Sequence, residues 1–110
     1  MAADISAYLN EVRSVTLDAT PGDATAITLA QHTGTVFVTL LQSDDATPEA
    51  GDWSWTGTDS AAIGTHAEPI SAGDTVEIQV RNGRAGGMAS RILYIAADSA
   101  SALAKIEQVR

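Results

Sequence analysis

Four carboxylates, Asp44, Asp45, Glu49 and Asp52, make residues 44–52 the densest acidic run of the chain. Oxygen clusters of this kind bind Ca²⁺. However, their spacing is not the alternating D-x-D-x-D-G ladder of an EF-hand loop, and Pro48 stiffens the segment. A solvated acidic loop over 42–52 is the simpler expectation, with calcium at these four residues a weak one. His32 and His66 are the only histidines, they lie in separate turns, and cysteine is absent, so no zinc-ligand spacing exists. No G-x-S-x-G elbow is present to expose a nucleophilic serine. Carboxylate pairs for glycoside hydrolysis would need a cleft that the sequence does not define. The loop Gly83-Arg84-Ala85-Gly86-Gly87 has the glycine content of a phosphate cradle but lacks the Lys-Ser/Thr pair, and a strand rather than a helix is expected after it. Arg84 at its tip is better read as a contact residue, because a guanidinium pairs bidentately with a neighbour's carboxylate. These observations give no catalytic, cofactor or resident metal set, and the expectation is a protein that is not an enzyme.

Trp53 and Trp55 alternate, so a strand would place both indoles on one face. Two uses follow. The rings fill a core that small residues leave thin, or they form an exposed platform. An exposed pair suits either sugar stacking, with Tyr94 as a third ring, or anchoring of a protein interface, where tryptophan is a frequent hot spot.

The elements that would position these groups are short. Ile5, Tyr8, Leu9 and Val12 fall at i, i+3, i+4 and i+7, which predicts an amphipathic helix over 1–13 with Asp4 at its start and Arg13 at its end. At barely three turns it must dock to persist, on its own sheet or on a neighbouring subunit. From Ser14 the period changes to two. Val15 and Leu17, then Ile27 and Leu29, then Thr35–Leu41 with apolar residues on both faces, read as strands, and the Gly34 turn reads as a hairpin. Thr75–Val80 is the clearest half-buried strand, and Arg91–Ala97 is another run apolar on both sides. Leu103, Ile106 and Val109 mark a C-terminal helix over 98–110, capped at Asp98 or Ser99. The expected architecture is one mainly β domain over 1–110. It is an antiparallel sandwich or small barrel of six to seven strands spanning 14–97, with a short helix at each end.

Composition narrows the partners. Of 110 residues, 20 are alanine, 12 are threonine and only one is phenylalanine, so the core is lean and suited to completion by a partner. The net charge of −8 argues against broad binding to nucleic acid or an anionic membrane, and no apolar run is long enough to span a bilayer. Residues 1–80 contain 12 acids and one base, whereas residues 81–110 contain five bases and two acids. Folding that interleaves the two parts gives a mildly acidic surface; the alternative is a dipolar subunit whose basic edge meets an acidic patch on a neighbour, where charge sets register more than affinity.

The stretch Trp55-Thr56-Gly57-Thr58-Asp59-Ser60-Ala61-Ala62-Ile63-Gly64, the Ile70-Ser71-Ala72-Gly73 turn and the Arg91-Ile92-Leu93-Tyr94-Ile95-Ala96 run resemble small structural proteins of tailed bacteriophages over roughly residues 14–100. The shared patterns are small-residue turns and strands with no chemical signature, and fibre and adhesin modules have similar ones. The resemblance implies a virion component made in the host cytoplasm, one that decorates or cements the capsid by homo-oligomerising and binding a major capsid or other virion protein. Ile5, Tyr8, Leu9, Val12, Trp53, Trp55, Arg84 and Arg91 are the expected interface residues. The competing expectation is a carbohydrate-binding or adhesin-like module using Trp53 and Trp55.

Overall fold

A computed structural model describes residues 1–80 and 91–110. Its strands are β1 (Ala2–Asp4), β2 (Val12–Thr16), β3 (Thr25–Thr28), β4 (Thr35–Leu41), β5 (Gly51–Ser54), β6 (Glu68–Ile70), β7 (Thr75–Gln79), β8 (Ile92–Ala97) and β9 (Leu103–Val109). They form two open sheets, one ordered β1-β3-β8-β5-β6 and the other β2-β9-β4-β7. Every pairing is antiparallel except β1 with β3.

Alternation places the core between the sheets. In β4, Val36, Val38 and Leu40 point inward and are fully buried. Ile27 and Leu29 in and after β3, Leu93 and Ile95 of β8, Ile78 of β7 and Ile106 of β9 close on them as one cluster. Burying each such side chain contributes about 1.5–3 kcal/mol. Gly51 admits β5 to this packing: a Cβ there would lie 2.2 Å from the Ala96 carbonyl oxygen, so any larger residue would push β5 away from β8.

Several sequence expectations are corrected. Neither terminal helix exists among the described residues, which hold nine strands rather than six to seven, and of the two expected architectures the open sheets match the sandwich and not the barrel. At the N-terminus, the Ile5-Tyr8-Leu9-Val12 stripe is divided among the two tight turns after β1 and the start of β2. Asp4 Oδ1 accepts the Ser6 N–H at 2.9 Å, closing a local turn rather than capping a helix. Tyr8 N–H then bonds the Ile5 carbonyl at 3.1 Å, and Asn10 takes a left-handed φ of 63° that ends any helical path.

At the C-terminus, residues 103–109 form the strand between β2 and β4 instead of a helix. Ala-Leu-Ala-Lys-Ile-Glu-Gln has strong local helix propensity, but ladders on both sides and burial of Ala102, Ala104, Ile106 and Gln108 override it. The Gly34 turn is not a hairpin, because β3 and β4 lie in different sheets and the turn carries the chain across the core.

One side chain explains much of the N-terminal outcome. Gln108 is fully buried and uses its whole amide: Oε1 accepts from Ala30 N–H at 2.6 Å and Thr33 Oγ1 at 3.4 Å, while Nε2 donates to the carbonyls of Ile5 at 2.8 Å and Tyr8 at 3.5 Å. The carbonyls that a helix would have used are thus tied to β9. Each of these carbonyls also accepts one turn N–H, from Tyr8 and Glu11 respectively, so Gln108 supplies the second donor, and it is the Ala30 N–H whose loss of a buried partner would cost about 1–3 kcal/mol.

Candidate functional site

The acidic residues do not converge. Asp44 Oδ1 closes a turn on the N–H groups of Ala46 and Thr47, and the Thr47 hydroxyl and these N–H groups hold its carboxyl below the ordinary value. Asp45 pairs with Lys105 Nζ at 2.8 Å. Glu49 is buried and turns back to the Ala50 N–H. Asp52 lies on β5, where burial and then the charge of Asp98 push its pKa up. No group of three or more metal-ligating side chains is assembled among the described residues. His32, at φ 67°, and His66 lie in separate exposed turns.

The expected interface residues fall into two groups. Ile5 is a core residue at 5% exposure, Tyr8 and Leu9 are half-buried, and Val12 is exposed at 60%, the highest of any large apolar side chain described. The Arg13 guanidinium lies 3.8 Å over the Tyr8 ring. Trp53 and Trp55 meet edge to face at 5.7 Å and pack half-buried against the core, and Arg91 lies 4.4 Å over the Trp55 ring. Trp53 is in register with buried Ile95 and so shares the inward side of the sheet. Arg84 and its loop lie outside the described residues.

A surface the sequence reading missed is the outer face of the four-stranded sheet. The registers place Val12, Glu107, Phe37 and Glu77 in one cross-strand row, Ser14, Lys105, Thr39 and Thr75 in the next, and Thr16, Leu103 and Leu41 beyond them. Val109, Thr35 and Gln79 form the row on the other side. The chain's one phenylalanine is therefore on an outside face, which also carries Leu41, Leu103, Val109 and Val12. Two carboxylates flank it, while the one base, Lys105, is engaged by Asp45. The signal was present in the sequence. Once residues 103–109 alternate, Leu103 and Val109 must share a face with Lys105 and Glu107, and Thr35–Leu41 is apolar on both sides.

No known protein family, curated protein or solved structure matches the chain.

Proposed function

We propose that the chain is a non-enzymatic virion structural protein of the capsid-decoration kind, which self-associates and docks on a larger virion protein through the outer face of the β2-β9-β4-β7 sheet. The observation that carries this reading is that five large apolar side chains, Val12, Phe37, Leu41, Leu103 and Val109, share the outer face of a sheet whose inner side already fills the core. Large apolar side chains interleaved with threonine, glutamate and lysine on one face of a small β-sandwich suit a protein partner of mixed apolar and charged character. The flanking Glu77 and Glu107 define that partner's chemistry: an apolar patch rimmed by lysine or arginine, with the charges setting register. The virion assignment is supported by the resemblance of the 55–64, 70–73 and 91–96 segments to small phage structural proteins.

Sugar stacking is the weaker reading because each indole is already used. The rings pack on each other and on the core, and the Arg91 guanidinium covers Trp55. The test is a pull-down with tagged chain from a lysate of its native source. The proposal expects a capsid or other virion protein in particle-sized material. Glycan binding that Trp55→Ala abolishes, with no virion protein recovered, would refute it.

A further inference from the structure

The proposed docking face is small. Strand spacing and rise give one copy a plate of roughly 15 by 20 Å, well under the ~800 Å² per partner of a standard interface. A second copy that extended the same sheet would double the plate without another fold, provided one sheet edge can accept it.

The four sheet edges are β1, β6, β2 and β7. The β1 edge is three residues long, and the amino terminus beside it is bonded to Asp59 and Ser60. The β6 edge is also three residues, with Pro69 at its centre. Short edges and proline both discourage pairing. On β7, Val80 N–H bonds the Gly34 carbonyl, so the ladder's alternation turns the backbone groups of Thr75, Glu77 and Gln79 outward. A two-fold pairing that used all of them would set Glu77 directly against its symmetry mate, which like charge opposes.

The β2 edge has no such conflict. Leu17 N–H bonds Ala102 and Gln108 N–H bonds Glu11, so the groups of Val12, Ser14 and Thr16 point away from β9, and no strand pairs with them among the described residues. An antiparallel two-fold centred on Ser14 pairs serine with serine and Val12 with Thr16 of the other copy. All three residues then exchange N–H and C=O in one hydrogen-bonding phase. The inward neighbours become Arg13 against Val15, and Arg13 is already drawn onto the Tyr8 ring.

A second, independent feature lies on the same side of the molecule. A groove of about 370 Å³ runs between β1 and β2, lined by Ala3, Ile5, Tyr8, Arg13 and Val15 among others. It opens where the two sheets part, and another β2 edge would close it. We therefore propose that the chain dimerises by antiparallel β2–β2 pairing about Ser14, fusing two four-stranded sheets into one continuous sheet with a single, doubled outer face. This rests on the reading of the chain as a self-associating module and supplies its geometry.

The test is sedimentation of the full chain over a micromolar concentration series, with Ser14→Pro, Ser14→Glu and Ser14→Lys. Proline at 14 removes only an outward N–H, so the internal ladder and the far-UV spectrum should survive while the dimer weakens roughly tenfold or more. Glutamate or lysine alone should give monomer, and an equimolar mixture of the two variants should restore dimer. A monomeric wild type, or a dimer indifferent to Ser14→Pro and Ser14→Glu, would overturn the proposal. A monomer that still captures a virion protein would overturn the dimer, and self-association with it, and leave the proposed docking on a virion protein standing. A β2 dimer that captures none would do the reverse.

Discussion

The outer faces of the two sheets are finished differently. The face of the five-stranded sheet carries Ile92 and Tyr94 among small or short residues, and the chain covers part of it with its own segment. After β5 the chain passes Gly57 close against the Tyr94 ring: a Cβ would lie 3.1 Å from it, and the ring would have to give by a few tenths of an ångström. Asp59 Oδ1 then accepts the Ala26 N–H at 2.9 Å, Ser60 and Ala61 bond Ala24, and Ile63 N–H reaches the Gly22 carbonyl at 3.1 Å. The face of the four-stranded sheet has no such strap among the described residues, yet it carries more of the large apolar side chains. The covered face contributes to the monomer's stability, and the proposal assigns the uncovered one to assembly.

The comparison can be broken most strongly where the two sheets share a support. Gln108→Ala leaves the Ala30 N–H without its acceptor in the interior, removes the second donor from the Ile5 carbonyl and opens a cavity at a fully buried side chain. It should cost about 3 kcal/mol, read as a lower urea midpoint at unchanged slope. An effect below about 1 kcal/mol would mean that the N-terminal turns hold without it.

The strap gives a smaller, pH-dependent effect. The Ala26 N–H, then the bond from the terminal amino group, hold Asp59 below the ordinary carboxylate pKa. Its contribution is therefore full above the unfolded carboxylate range and is lost as pH falls through the lowered value. Asp59→Ala should cost under about 1 kcal/mol at pH 7, since the group is partly exposed, and the difference from wild type should shrink to nothing under acid. A penalty that persisted at low pH would show that packing, not the carboxylate, fastens the strap.

Asp52→Asn should have the opposite sign. Burial and then Asp98 raise its pKa, so the ionised form is disfavoured in the folded state. The variant should be slightly more stable at neutral pH, and its gain should vanish as pH falls below the carboxylate range where wild type is protonated. A loss of stability at pH 7 would indicate that the charge has a partner it needs.

Strands with strong bulk contrast were legible in the sequence: Val36, Val38 and Leu40 against threonine, and Val76 and Ile78 against glutamate and glutamine. The termini were not legible, for two physical reasons. Large apolar residues in β9 lie on both faces, Ile106 inward and Leu103 and Val109 outward, so their spacing imitates a helix. The true inward row includes Ala102, Ala104 and the polar Gln108, whose burial depends on partners some 75 to 103 positions away in the chain. Hydropathy alone cannot mark a glutamine as core. The tryptophan pair was legible as sharing one face, but which face depended on the pairing of Trp53 with Ile95. The Phe37 face went unseen because a strand apolar on both sides suggested two covered faces, whereas only one is covered by the chain itself.

The central claim is that the four-stranded sheet's outer face is the docking surface, and Phe37→Lys tests it most directly. Glu77 and Glu107 flank position 37 in register, so a lysine there meets opposite charge and should shift stability by no more than about 0.5 kcal/mol. In parallel pull-downs from the native lysate, the wild-type chain should recover a virion protein in particle-sized material and the folded Phe37→Lys chain should not. Undiminished recovery with Phe37→Lys, together with its loss in Trp55→Ala, would contradict the account and move the site to the tryptophan edge.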